Sequence, residues 1–382
     1  MGRRVLIAWE LGANLGHVLP LLALARSLRS RGHQVLFALR DLAHAGFVAR
    51  EGFAFLPAPT LAPRSRPVTY ASYAAMLAGE VFPSVEAALI AALAWRSIFS
   101  AARAELLVAD HAPAALLAAR GHKLKTALYG APFSIPVAGK PLPVFARTGA
   151  RDEEAKLLER LNTVADALRA PRLALAADLY RADATLVRSL PELDCYGPRD
   201  EDAYVTPAAA DAGEAIPLWP RGRGPKALVY LRAGPYVKPV LQGLAAAGAS
   251  AIAYIGGLPK RPRSLERAGL LVSHVPYKAS ALMPQSDLVV CNGNAGTVSG
   301  ALLAGKPLLL LPAYIEQALN AAGVVRAGVG VVPKGKLDVA RVTRCLGALR
   351  RGGPAQERAS RFAARYAGGV DDAARRLESL LT

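Results

Sequence analysis

The stretch Asp287-Leu288-Val289-Val290-Cys291-Asn292-Gly293-Asn294-Ala295-Gly296-Thr297 decides how the chain is read. Leu288 to Cys291 is apolar without alternation, as a parallel strand buried on both faces requires. Within a few residues come Gly293 and Gly296, which let backbone amides approach a ligand closely, and Thr297, which can cap a helix or bond an oxyanion. A strand that runs through a glycine turn into a helix start presents free N–H groups at the positive end of the helix dipole. That is an anion site, best suited to phosphate. A tight turn that binds nothing has the same local signature, and the stretch alone does not separate the two.

Outward from this segment the chain alternates between strands and helices. In the second half, Ala227 to Leu231, Ala251 to Ile255, Leu270 to Val272 and Pro307 to Pro312 are further short apolar runs, with helical spacing over 236–247. In the first half, Val5 to Trp9, Val35 to Leu39, Phe53 to Leu56 and Glu105 to Asp110 read the same way. Leu21, Leu22, Ala25 and Leu28 recur at helical spacing between the first two. Units of this kind imply right-handed crossovers and parallel sheets with helices on both faces. The fold class is α/β, with two doubly wound domains. Residues 64–104 read as mostly helical, with Tyr70, Tyr73, Phe82, Trp95 and Phe99 as core, and 151–169 as a charged helix. The Pro- and Gly-rich stretch 205–226 reads as a linker and 355–382 as an amphipathic terminal helix.

Composition narrows the function classes. The chain has 382 residues, 53% of them hydrophobic and 20% charged, which excludes a disordered chain and allows two sizeable cores. The net charge of +18 permits an anionic partner. Only 11 of the 47 basic residues are Lys, though, and Ala is abundant, a pattern that GC-rich coding also produces. No specific nucleic-acid partner is expected from the charge. Cys195, Cys291 and Cys345 have no metal-ligand spacing and fit a reducing compartment. Glu10 interrupts the first apolar run, so no signal peptide is read, and no stretch reaches about 20 uncharged apolar residues. The expectation is a soluble cytoplasmic protein, with peripheral contact to a membrane surface left open. Phosphate-loop, zinc-protease and nucleophile-elbow motifs are missing. Asp200-Glu201-Asp202 has a metal-binding form but lies in a polar loop without flanking strands, and reads as a solvated turn.

His17 follows the first strand, at the carboxyl edge where open α/β sheets hold their ligands. A neutral imidazole there can take a proton from a hydroxyl at neutral pH, provided a partner fixes its tautomer. Asp110, at the end of a later parallel strand, is placed to do so, and His111 competes for that role. A histidine that merely caps a helix beginning at Pro20 is the alternative.

At this point a family resemblance emerges. Asp287 to Pro312, followed by Tyr314-Ile315-Glu316-Gln317-Ala318-Leu319-Asn320-Ala321, resembles the nucleotide-sugar segment of family 1 glycosyltransferases, the UDP-glucosyl, UDP-glucuronosyl and macrolide type. Gly293, Gly296, Thr297, Gly305, Pro307, Gln317, Asn320 and Ala321 fall on its pattern. Gly16-His17-Val18-Leu19-Pro20 with Arg31-Gly32-His33 is similar to the family's opening strand-loop-helix, and Val229 to Gly234 to the first strand of its donor domain. The resemblance covers both halves in order and is weakest between residues 60 and 200.

It implies the GT-B fold: two facing Rossmann-like domains with the active site in the cleft. An N-terminal acceptor domain (1–204), a linker (205–224), a C-terminal donor domain (225–354) and a terminal helix packing back on the first domain (355–382) follow. It further implies an inverting, metal-independent transfer of sugar from a nucleoside diphosphate, UDP or dTDP, to a hydroxyl acceptor. His17 would be the base and Asp110 its orienting carboxylate. The nucleotide sugar is a co-substrate, and neither metal nor other cofactor is expected. The acceptor is a small molecule or lipid-linked, and no obligate protein partner is inferred. On the donor side, Asn292, Gly293, Asn294, Gly296 and Thr297 would meet the phosphates, and Glu316 and Gln317 the sugar. His274-Val275-Pro276-Tyr277 resembles the family's Trp-x-Pro-Gln, with His274 stacking on the base and the backbone of Val275 reading its edge; an ordinary strand-to-loop transition fits that piece as well.

The sequence departs from the family pattern at three donor positions. Asn292 stands where the family has a phosphate-binding His, Gly300 where it has the Glu that holds the ribose hydroxyls, and Glu316 where it has a sugar-binding Asp. Arg232, or Lys334 and Lys336, are candidates for the missing phosphate charge. A GT-B protein that binds nucleotide or a partner without turnover is the alternative function these departures allow.

Overall fold

The computed structural model describes residues 2–12, 15–61, 68–146, 150–207, 211–258, 269–366 and 373–381. The chain divides into two compact units: Met1–Arg188 with Pro198–Val205 and Asp371–Thr382, and Ser189–Gly197 with Thr206–Val370.

In the first unit the elements run β1 (Arg4–Trp9), α1 (Leu15–Ser30), β2 (Gln34–Leu39), α2 (Ala45–Arg50), β3 (Ala54–Pro57), α3 (Tyr73–Glu80), α4 (Val85–Ala102), β4 (Leu106–Asp110), α5 (Pro113–Ala119), β5 (Lys125–Gly130), α6 (Ala150–Ala167), β6 (Ala184–Arg188) and β7 (Tyr204–Val205). The sheet is parallel throughout, in the order β3-β2-β1-β4-β5-β6-β7. The chain leaves β1 toward one edge and returns to build from β4 toward the other. The carboxyl ends of β1 and β4 therefore flank the topological switch point, where a crevice opens. Their register pairs Trp9 with Asp110. Val5, Ile7, Trp9, Leu21, Leu28, Phe37, Leu106 and Val108 form the core on one face.

The 18 residues of α4 have the mean hydropathy of a membrane-crossing helix, 1.4. It lays Ala88, Ala92, Trp95 and Phe99 inward at helical spacing. Arg96 ties it down through 3.1 Å bonds to the carbonyls of Ala118, Arg120 and Leu168. Tyr73, Phe82, Trp95 and Phe99 are buried, as the sequence suggested, and Tyr70 is half-buried.

The second unit repeats the scheme with β8 (Lys226–Arg232), α7 (Val237–Ala246), β9 (Ser250–Gly256), β10 (Leu270–Ser273), α8 (Ala279–Leu282), β11 (Leu288–Cys291), α9 (Ala295–Leu303), β12 (Leu308–Leu310), α10 (Ile315–Arg326), β13 (Gly330–Val331), α11 (Val339–Ala348) and α12 (Pro354–Arg365). Its parallel order is β10-β9-β8-β11-β12-β13. The switch point lies between β8 and β11, whose register pairs Tyr230 with Cys291. The quoted glycine turn sits there.

Three expectations need revision. Helix α1 starts at Leu15, so His17 is in its first turn rather than on the preceding loop. Pro20 lies inside the helix, close enough to its start that only the carbonyl of Gly16 loses an intrahelical partner. Residues 189–197 belong to the second unit, because Leu190 and Leu193 are buried in its core. The single helix expected over 355–382 is two elements. Helix α12 packs on α9 in the second unit, and α13 (Ala373–Glu378) returns to the first, where Ala374 and Leu377 join the core and Glu378 pairs with Arg31 at 3.2 Å. Residues 64–67 of the 64–104 stretch, 208–210 of the linker, and 367–372 and 382 of the terminal stretch lie outside the described residues.

Candidate functional site

At the first unit's switch point, His17 Nδ1 lies 2.9 Å from Asp110 Oδ2. Asp110 is fully buried, and among the described residues its Oδ1 has no hydrogen-bond partner. Gly130 on the neighbouring strand makes room for it, since a Cβ there would stand 2.9 Å from Oδ1. Burial opposes the charge of Asp110. The charge and hydrogen bond of His17, and the charge of Arg188, outweigh that cost and hold the carboxyl below the usual carboxylate range. Arg188, the last residue of β6, is buried with Nη2 3.8 Å from Asp110 Oδ2 and its guanidinium over the ring of Tyr129.

Geometry separates the two histidines that competed for Asp110. The Nε2 of His111 is 2.9 Å from the hydroxyl of Tyr73, which in turn lies 3.1 Å from that of Tyr180. Burial first, then repulsion from His17, pushes His111 down to about 3, so it stays neutral. Its φ of +50° turns the chain sharply after β4. The pairing with Asp110 belongs to His17.

Two neighbours were not read from the sequence. The ring of Trp9 stacks on His17 with centroids 5.4 Å apart. Glu10 is buried beneath, its two oxygens accepting the amides of Ala114 and Ala115 at 2.7 and 2.9 Å at the start of α5. Burial pushes Glu10 up to about 8, against the pull of those amides and of Arg40. Trp9 ends the first strand and Glu10 follows it, so the apolar run gave their position and nothing in it gave their partners. Arg188 could have been found from Ala184-Thr185-Leu186-Val187, a strand too short and too near the weakly patterned middle of the chain to stand out.

The second switch point is built differently. Asn292 is buried, and both ends of its amide bond backbone: Oδ1 accepts Arg232 N at 2.9 Å and Nδ2 donates to Leu311 O at 2.8 Å. It staples the ends of β8 and β12 across β11 instead of facing the glycine turn. Gln317, expected at the sugar, is fully buried. It accepts Ala313 N at 2.8 Å and donates to Asn294 Oδ1 at 2.8 Å. Asn320 holds the carbonyl of Gly293 at 2.9 Å. Gly293 has φ +99°, and a Cβ on it would stand 2.9 Å from the carbonyl oxygen of Gln317, so only glycine fits.

What stays open is backbone. Asn294 caps α9 without a side-chain bond to it, because its Oδ1 takes Gln317 and the hydroxyl of Tyr314. Among the described residues no acceptor takes the amides of Ala295, Gly296 and Thr297, and Gly296 is exposed with open space where a side chain would be. Arg232 is exposed at the end of β8, and its charge reaches Tyr314. Glu316 is half-buried in the first turn of α10.

The remaining candidates divide. His274 and Val275 are exposed, but Ser273 Oγ accepts Val275 N and donates to Val275 O, both at 2.9 Å, which occupies the backbone expected to read a base. Tyr277 is half-buried, with its backbone N and O held by the hydroxyl of Tyr230 at 3.1 and 2.5 Å. A Cβ on Gly300 would stand 3.1 Å from Met283 Sδ, so that side chain fills the space a Glu would need. Lys334 and Lys336 are exposed in a turn after β13, and Asp200, Glu201 and Asp202 are exposed to solvent. Among the described residues no group of three or more His, Cys, Asp or Glu is placed to hold a metal ion.

No protein-family model matches the chain. Among characterised proteins it is similar to a PGL/p-HBAD biosynthesis glycosyltransferase of Mycobacterium tuberculosis, 29% identical over 160 residues, which are 39% of this chain and 36% of that protein. It is equally similar to a PGL/p-HBAD biosynthesis rhamnosyltransferase of Mycobacterium bovis, 29% identical over 157 residues, 39% of this chain and 34% of that protein. The match thus spans about a third of these relatives' length. Solved structures match along the whole chain. The calicheamicin glycosyltransferase CalG4 has a TM-score of 0.73 at 19% identity, covering 100% of this chain and 99% of its own. The spinosyn rhamnosyltransferase SpnG complexed with thymidine diphosphate has a TM-score of 0.71 at 17% identity, covering 100% of both. The chain therefore has the α/β GT-B fold of glycosyltransferases that its motifs implied.

Proposed function

We propose that the protein transfers a sugar from a nucleoside diphosphate to a hydroxyl of a small-molecule or lipid-linked acceptor, inverting the anomeric carbon, in the cytoplasm. The observation that carries this reading is the 2.9 Å bond between His17 Nδ1 and buried Asp110. With Nδ1 donating to the carboxylate, the lone pair is on Nε2, and that nitrogen takes the acceptor proton. The freed oxygen pair forms the bond to the anomeric carbon as the bond from that carbon to the diphosphate breaks. The diphosphate leaves with the electron pair. Its charge is met by the amides of Ala295, Gly296 and Thr297 and by Arg232, without a metal ion. A uridine or thymidine nucleotide is the donor. Thymidine diphosphate in SpnG and the rhamnosyl transfer in that enzyme's name favour the second.

The test is release of nucleoside diphosphate from TDP- and UDP-sugars with a panel of hydroxyl acceptors. His17→Ala is expected to abolish it while nucleotide binding persists; wild-type turnover by His17→Ala would remove the assignment. A protein that binds nucleotide without turnover is favoured by Asn292, whose amide is engaged with backbone. Binding without release for any donor and acceptor would select that reading.

A further inference from the structure

Beyond Glu86 in its first turn, helix α4 has no charge on the side that faces away from the protein. Between Ala87 and Ala102 its only charged side chain is Arg96, which is turned onto the carbonyls of Ala118, Arg120 and Leu168. Ile90, Leu93, Ala94, Ser97 and Ala101 recur at helical spacing opposite the buried row of Ala88, Ala92, Trp95 and Phe99. Ile90 and Leu93 are 59% and 49% exposed, Val85 at the helix start is 38% exposed, and Leu89 is half-buried on the flank. The hydroxyl of Ser97 donates back to the carbonyl of Leu93 at 3.1 Å, so its proton has a partner without water.

The neighbouring helix shows what a solvent-facing row looks like in the same unit. Helix α6 also has 18 residues and packs beside α4, and its exposed row is Asp152, Lys156, Glu159, Thr163 and Asp166. On α4 the cations gather instead around the C-terminal end. Arg103 caps it, Lys123 follows the His122 ring that packs on Phe99 with centroids 5.8 Å apart, and Arg169 follows Leu168, whose carbonyl holds Arg96. All three are exposed, and among the described residues none has a carboxylate partner. The adjoining carboxylates are taken: Glu105 pairs with Arg3 and Arg4, and Asp166 with Arg172.

An uncharged row edged by free cations is the pattern of a helix that lies in the interface of an anionic bilayer, with apolar side chains at the acyl boundary and cations at the headgroups. We propose that the outer face of α4 is a docking surface for an anionic lipid bilayer, on which the chain rests without spanning it. The helix does not cross, because Trp95 and Phe99 on its inner side belong to the core of the first unit. The net charge of +18 draws the chain to anionic lipid and opposes a second copy on the same face. This surface goes beyond the transfer reaction and uses none of its residues, so its test does not need turnover.

The experiment is co-sedimentation of the full chain with vesicles of phosphatidylcholine containing about 30 mol% phosphatidylglycerol, against vesicles of phosphatidylcholine alone. The wild-type chain is expected to partition onto the anionic vesicles about tenfold or more above the neutral ones, and less as salt is raised. Ile90→Gln combined with Leu93→Gln should lower that partition by about tenfold, with the unfolding midpoint and nucleotide affinity unchanged. Leu93→Gln alone, expected to lower it about threefold, carries the test if the pair does not fold. Lys123→Gln should weaken binding to the anionic vesicles by about fivefold and leave binding to the neutral ones as it was. No partition of the wild type onto anionic vesicles, or equal partition by the folded Gln variants of Ile90 and Leu93, would overturn the proposal. So would a dimer in light scattering that those variants dissolve, because a second copy would then cover the row.

Discussion

Each of the two sheets has a crevice at its own topological switch point, and the two crevices are furnished in opposite ways. At the first, polar side chains meet one another: an imidazole on a buried carboxylate, a guanidinium beside it, and a second carboxyl bound to a helix start. At the second, the polar side chains nearest the crevice bond backbone, and the groups left for a ligand are amides. A base needs an imidazole of defined tautomer, whereas a diphosphate needs several donors at fixed spacing, which a helix start supplies without a charged side chain. The comparison teaches that a strand end can commit its side-chain amides to backbone and still leave the amides of the following helix start open.

The largest effect is expected where side chains carry the chemistry. His17→Ala should lower turnover by about 10²–10⁴, the usual contribution of a general base, with nucleotide affinity unchanged in a calorimetric titration. Asp110→Asn should lower turnover comparably. It should also destabilise the first unit by about 3 kcal/mol in denaturant unfolding, because Arg188 is left buried without its counter-charge. A smaller turnover loss than in His17→Ala, with no loss of stability, would mean that the pair is incidental.

The second crevice should respond in stability before chemistry. Asn292→Ala removes two buried bonds that join β8 and β12, and should cost about 2 kcal/mol in the second unit. Loss of nucleotide binding at unchanged stability would show that the amide contacts the ligand instead. Gly300→Glu should destabilise by about 1–3 kcal/mol through Met283 and leave the preference between UDP and TDP where it was, checked by titration with each.

The pH dependence of stability separates the two carboxyls of the first unit, which act with opposite sign. Glu10 is raised from 4.5 to about 8, so between those values the folded chain keeps a proton that the unfolded chain has lost. Its contribution is fully present below pH 4.5 and declines as pH rises through 8. Asp110 is lowered, so its contribution is present above its unfolded pKa and lost as pH falls through the folded value. Denaturant midpoints across the upper window should slope downward in the wild type and flatten in Glu10→Gln; an unchanged slope would sink the assignment to Glu10.

Much of this was legible in the chain. Unalternating runs such as Leu288 to Cys291 marked the central strands, because burial on both faces leaves no polar period. The positions of His17 after the first strand and Asp110 at the end of a later one suggested their pairing, which the structure shows at 2.9 Å. Some strands were not legible: the edge strands β7 and β13 have two residues each, and the inner strand β5 opens with Lys125 and Thr126. Nor did the sequence tell that Asn292 and Gln317 turn toward backbone, since a residue's position in a motif does not fix which of its neighbours its amide reaches.

The central claim, that the second crevice holds a nucleoside diphosphate through backbone while the first supplies the base, is met most directly by calorimetric titration of thymidine diphosphate, without added metal, into the wild-type and His17→Ala proteins. The account predicts one site in both, with equal affinity in the range of about 1–100 µM. Absence of binding to the wild type, or binding that His17→Ala abolishes, would contradict it.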